Sequence, residues 1–209
     1  MNKQLFEKIC NGTYSAEELR AFNRKINEQE FDLDRPFEKY YNLENILREI
    51  QRYENWEITA RRLACWANAY NWITTGRFTA NAESPVIFQG WVQEEISCLL
   101  DGLSFFDDRK VADLDAFKTD FEHLDRIYKN VEDWQAFYEY PAEPWNWEAE
   151  DVTVLAVNCK EKIFMIRYYA CLDYNNLGKG WVRLTREELD KRVDGLKRRK
   201  YQQIYKENW

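Results

Sequence analysis

Histidine is nearly missing from this 209-residue chain, with His123 the only one. A catalytic imidazole needs a group that orients it and a nucleophile within reach, and His123 stands beside an apolar helical seam instead. No Ser-His-Asp pattern can be assembled around it. Metal spacing is missing as well, because Cys10, Cys65, Cys98, Cys159 and Cys171 lie far apart. Odd in number and mostly set in apolar patterns, they read as reduced, buried thiols without a disulfide. There is no glycine-rich nucleotide fingerprint, and "LGKG" at 177–180 lacks both the Walker spacing and the hydroxyl residue that should follow. The longest stretch without a charged residue, Leu63 to Gly76, is far short of the roughly 20 residues that a membrane-spanning helix requires. The opening "MNKQLFEKIC" puts Glu7 and Lys8 where a signal peptide needs apolar residues. Together these absences predict a cytoplasmic protein with no metal and no cofactor. For a small-molecule enzyme only unassigned carboxylates remain, such as Asp107-Asp108, Glu94-Glu95 and Asp113 with Asp115.

What is abundant is apolar and charged. Hydrophobic residues make up 45% of the chain beside 32% charged, enough to offset the conformational entropy of folding and to exclude a disordered chain. Helical spacing dominates the first 140 residues. Ser15-Ala16-Glu17-Glu18 is a capping box, with Tyr14 and Leu19 as the staple pair, and Gly12 ends a short helix before it. A further helix starting near Pro36 carries Leu43, Ile46, Leu47, Ile50 and Tyr53. The segment from 57 to 76 is apolar on two sides, as befits the middle of a bundle. Ser84-Pro85 opens another helix, with Phe88, Trp91, Ile96, Leu99 and Leu103 inward, although "PVIFQGWV" alone also suits a strand. Leu114, Phe117, Phe121, Leu124, Tyr128 and Val131 form a seam whose opposite face carries Asp113, Asp115, Asp120, Glu122 and Asp125.

Beyond residue 140 the pattern changes. "PAEPWNWEAE" (141–150) reads as a junction. "DVTVLAV" and "KIFMIRYYACL" follow, dense in β-branched and aromatic residues, with a hairpin loop at Asn158-Cys159-Lys160-Glu161. A turn at 175–180 leads into "WVRL". Thr185-Arg186-Glu187-Glu188 is a second capping box, so a C-terminal helix begins at Arg186. The expected fold is α+β. A helical bundle over about residues 3–140 packs on a three-stranded antiparallel meander, with strands confined to about 151–184, and a C-terminal helix. The expected organisation is 1–140, 141–150 and 151–209, the last forming one compact unit with the bundle.

Charge is unevenly placed. Residues 101–150 hold fourteen acids against five bases, a balance of −9, and residues 179–209 hold ten bases against five acids. An acidic surface repels phosphate and favours basic protein partners. Tyr138, Tyr140, Trp145 and Trp147 stand among Glu143, Glu148 and Glu150 where helical burial has ended, and exposed Tyr and Trp are preferred binding anchors. With Asp107 and Asp108 they form the expected partner-binding set, although Trp145 and Trp147 also suit a plug between the two parts. The expected function is non-catalytic. A small acidic protein occludes a basic protein partner, a toxin or nuclease, in the manner of immunity proteins or phage anti-defence inhibitors. The alternative is nucleic-acid association through Lys197, Arg198, Arg199, Lys200 and Tyr201, cations followed by a stacking ring, although cations near a helix end also serve its dipole.

Overall fold

The computed structural model describes residues 3–26, 37–75, 87–106, 114–139, 153–167 and 182–206. The chain divides into two compact units, residues 1–80 with 93–125, and residues 81–92 with 126–209. It is an α+β protein.

The first unit is helical. Helix α1 (Lys3–Cys10) stops where Gly12 takes φ +72°, and the amides of Gly12 and Thr13 donate back to the carbonyls of Ile9 and Lys8. This is a Schellman ending. Helix α2 (Ala16–Ile26) opens on the expected capping box: the Glu18 amide donates to Ser15 Oγ (3.1 Å) and the Ser15 amide to Glu18 Oε2 (2.7 Å). The single helix expected from Pro36 is broken in two, α3 (Phe37–Tyr40) and α4 (Leu43–Glu54). Asn42 breaks it. Its backbone is extended, its side chain accepts from the Glu44 amide, and its own amide donates to Tyr70 Oη at 2.8 Å.

Helix α5 (Ala60–Thr75) is the centre of this unit, buried along almost its whole length and packed by α1, α2, α3 and α4. Leu63, Trp66, Tyr70 and Trp72 are closed to solvent, and Phe6, Phe22 and Trp72 meet edge to face at 5.6–6.0 Å. Each such ring contributes about 2–3 kcal/mol by burial alone. Helix α6 (Ile87–Ser104) settles the helix-or-strand question for "IFQGWV". Its buried side is Val92, Ile96, Leu100 and Leu103, while Leu99 is half-buried, and the side chains of Phe88 and Trp91 lie outside the described residues, as do Ser84-Pro85 and Gly76. Helix α7 (Leu114–Lys129) buries Phe121, Leu124 and Ile127. It also buries Asp125, expected on the solvated face, whereas His123 is half-buried.

The second unit holds a sheet larger than the expected meander. Strands β1 (Trp134–Glu139), β2 (Thr153–Asn158), β3 (Ile163–Arg167), β4 (Val182–Leu184) and β5 (Gln202–Lys206) lie in the order β4-β1-β2-β3-β5. The pairs β1·β2 and β2·β3 are antiparallel, but β4 runs parallel to β1 and β5 parallel to β3. The expected order therefore fails at β4, which joins β1 rather than β3. Two strands also fall outside 151–184, with β1 inside the stretch expected to be bundle. At the β2–β3 turn Asn158 Oδ1 accepts from the amides of Lys160 and Glu161, both at 3.0 Å, and Lys162 takes φ 56°.

Helix α8 (Arg186–Arg198) begins at the expected capping box, Thr185 with Glu188. It connects the two edge strands. Its Leu189 and Leu196 pack with Phe137, Leu155, Val157, Phe164, Ile166 and Leu184 on one face of the sheet. On the other face Ala136, Val154, Ala156, Met165 and Arg167 are buried too, which is why β2 and β3 read as unbroken apolar runs. Among the described residues no cysteine is in a disulfide, and only Cys10 is buried as expected. Cys98 and Cys159 are exposed, one on an outward position of α6 and the other in the hairpin turn.

Candidate functional site

Most of the expected partner-binding residues, Tyr140, Glu143, Trp145, Trp147, Glu148, Glu150, Asp107 and Asp108, lie outside the described residues, as does the 141–150 junction. Tyr138 is in β1, opposite Val154, with its side chain outside the described set. The chemistry expected there, exposed rings among acids, recurs elsewhere in the first unit.

Helix α4 ends in the same way as α1. The Trp56 amide donates to the Tyr53 carbonyl (2.9 Å) and the Glu57 amide to the Arg52 carbonyl (2.8 Å), which places Trp56 at the left-handed position with φ 63°. Glycine is the usual occupant, and a bulky side chain there is a true outlier. The ring gains nothing from it, being 91% exposed. Helix α6 is followed by Phe105, which is 78% exposed, and by Phe106, whose ring meets Tyr53 edge to face at 5.0 Å. That contact brings the ends of α4 and α6 together. Glu54 ends α4 with Glu57 just after it, Asp101 lies in the last turn of α6 and Asp115 in the first turn of α7. Lys118 answers two of these, Glu54 at 2.6 Å and Asp115 at 2.8 Å, and those bonds raise its pKa. Arg52 reaches Glu57 at 3.5 Å. The corner combines rings that water does not favour with a surplus of carboxylates.

A second carboxylate in this unit is closed to solvent. Glu49 of α4 accepts from Tyr14 Oη (2.7 Å) and from Arg52 through both its oxygens (3.0 and 3.1 Å), with Arg48 Nε at 3.5 Å. Arg48 also donates to the Cys10 carbonyl (2.6 Å) and Arg52 to the Gly12 carbonyl (3.2 Å). Burial, then the Glu49 charge, pushes the Tyr14 phenol well above its ordinary value. A carboxylate whose two oxygens are already occupied is a strut between α4, the end of α1 and the Gly12–Tyr14 turn, and leaves no lone pair directed at a substrate. Sequence reasoning missed it, although its place on the stripe Ile46, Glu49, Ile50, Tyr53 was a usable signal.

Comparison with known protein families, curated proteins and solved structures finds no match. Among the described residues no group of three or more His, Cys, Asp or Glu could hold a metal ion, and no helix is long and apolar enough to cross a membrane.

The alternative set is in the second unit. Lys197 and Arg198 end α8, Arg199 caps it, and Lys200 takes φ 63° while the Tyr201 amide returns to the Leu196 carbonyl. The five residues do not form one surface. Arg198 and Arg199 turn to the exposed side with Lys191, Arg192 and Gly195, which the sequence reading left out, and Tyr201 packs partly against the leucine cluster.

Proposed function

We propose that the protein is a non-catalytic binding protein that docks on a basic protein surface and occludes it, of the type exemplified by immunity proteins and phage anti-defence inhibitors of toxins and nucleases. The observation that carries the reading is Trp56, an exposed ring held at a backbone position where glycine costs least. Strained positions persist where the surrounding structure over-determines them, and they cluster at functional sites. A tryptophan buried by a partner is the commonest kind of hot spot. The carboxylates of Glu54, Glu57, Asp101 and Asp115 supply the complementary rim, and charge at a rim acts chiefly on association rate. Asp107 and Asp108 follow Phe106 in the sequence and lie outside the described residues.

The test uses the full chain as bait in three forms: parent, Trp56→Ala with Phe105→Ala, and Glu54→Lys with Glu57→Lys. A basic protein that the parent retains should dissociate about 30-fold faster from the ring variant, the factor for a hot spot of about 2 kcal/mol. It should associate more slowly, with flatter salt dependence, in the charge variant. Partners that are acidic, or whose dissociation ignores Trp56 and Phe105, overturn the reading.

A further inference from the structure

We propose that the exposed face of α8 is a docking surface for the sugar-phosphate backbone of a nucleic-acid strand, which crosses the helix at Gly195. Lys191, Arg192, Gly195, Arg198 and Arg199 line a shallow, widely open depression of about 470 Å³. Residues three, four and seven apart share a helix face, so two cation pairs stand one turn before and one turn after the glycine. At a rise of about 1.5 Å per residue the pairs are roughly 10 Å apart along the axis, with a low point between them. The shape is a saddle for a charged ridge.

The glycine is the independent observation. Gly12 needs its φ of +72°, and a Cβ there would come within 2.6 Å of Glu49; at Gly102 a Cβ would touch Phe117. A Cβ at Gly195 would meet nothing within 4 Å, and its φ is not positive. Inside a helix glycine is less favourable than alanine, and among the described residues no packing contact requires it. A bare position there lets a ligand approach the helix backbone.

The cations are available and held in place. Arg192 stacks on the Phe137 ring at 4.4 Å, and Nε of Arg198 and of Arg199 donates to the carbonyls of Asp194 and Gly195, both at 3.3 Å. Among the described residues no carboxylate lies within ion-pair distance of these three arginines, whereas Lys191 pairs with Glu187 at 2.6 Å. Glu188 shares the stripe; the capping box holds its Oε2 through the Thr185 amide (2.8 Å) and hydroxyl (3.0 Å), and its charge offsets part of that of Arg192 and Lys191. Asp190 and Asp194 fall on the flank by helical spacing, Asp190 within 3.8 Å of Arg186.

Chemistry selects the ligand. Guanidinium forks match phosphate oxygens in pairs, and arginine dominates this face. A bilayer surface would need an apolar helix side to bury, and α8 has already placed Leu189 and Leu196 on the sheet. The proposal does not depend on the acidic corner, which belongs to the other unit.

The experiment is fluorescence anisotropy of labelled 20-nucleotide single strands and duplexes with the full chain between 50 and 200 mM salt. Four cations predict a log–log slope of about −3 for single strands and about −3.5 for duplexes. Arg198→Ala and Arg199→Ala should each flatten it by nearly one. Gly195→Ala should weaken binding about tenfold or more at an unchanged slope while raising the urea midpoint, so lost binding cannot be lost folding. Three results overturn the proposal. These are no retention at 50 mM salt, parent-like binding by Gly195→Ala, or equal arginine-dependent binding to vesicles containing anionic lipid.

Discussion

Replacing Glu49 by glutamine removes one charge and almost no volume, so it isolates what the buried ion network contributes. In the parent, Glu49 is fully buried and accepts from Tyr14 and doubly from Arg52. With glutamine, one side-chain oxygen can still serve Tyr14, but an NH₂ group then faces the Arg52 guanidinium, donor against donor. Removing one partner of a buried pair costs about 3–5 kcal/mol because the other charge is left uncompensated. Arg52 keeps 22% of its side chain accessible, so water recovers part of that, and about 2–4 kcal/mol is expected. With a urea slope of about 2–3 kcal/mol per molar, the midpoint should fall by roughly 1 M or more. Unfolding followed by both tryptophan fluorescence and circular dichroism checks that a single transition is being read. Tyr14→Phe should cost less, about 1.5–3 kcal/mol for one bond to a charged group, and the double variant should cost less than the sum, since the sites share a bond. A Glu49→Gln protein within about 0.5 kcal/mol of the parent refutes the strut assignment.

Gly12→Ala should destabilise by more than the 1–2 kcal/mol that left-handed backbone costs an L-residue, because the new Cβ also presses on Glu49; a loss below 1 kcal/mol in the same urea assay counts against the described approach. Trp56→Gly should raise stability by about 0.5–1 kcal/mol, strain relief less the entropy of glycine, and a clear fall would mean that the ring has intramolecular work. Burial pushes the Cys10 thiol from 9.0 up to about 12, opposed by Arg48. Its folded-state pKa is raised, so its contribution is complete below pH 9 and is lost as pH climbs toward about 12. Urea midpoints should therefore fall over that window, and Cys10→Ala should flatten the fall; an identical slope in both proteins would contradict it.

Local chemistry was legible in the sequence and long-range pairing was not. Both capping boxes, the Gly12 ending and the hairpin at Asn158 are decided within a few residues, and each stands where the sequence puts it. The break at Asn42 was missed although Asn is a preferred cap, because apolar spacing continues across it. Strand β5 was missed for the opposite reason: "QQIYK" has no fully buried residue, and its strand state comes from pairing with β3. "WQAFYE" falls within the first 140 residues, where helical spacing dominates, but the apolar seam has ended at Val131 and its strand state comes from pairing with β2. Of the candidate sites, the acidic run and the terminal cations were visible as composition. Trp56 and Gly195 were not, since one is marked by a backbone angle and the other by empty space.

The placement of β4 and β5 at opposite edges of the sheet, with α8 between them in sequence, also sets an order of events during synthesis. Ile163 pairs with Gln202 and Ile166 with Lys206, so β3, buried on both faces in the finished sheet, has one open hydrogen-bonding edge until a helix and a further strand have been made. An apolar strand with an open edge is a template for wrong pairing. A nascent chain stalled between 168 and 201 therefore has its most aggregation-prone surface on display, and β5, whose own side chains bury little, protects the protein as a cover strip rather than as core.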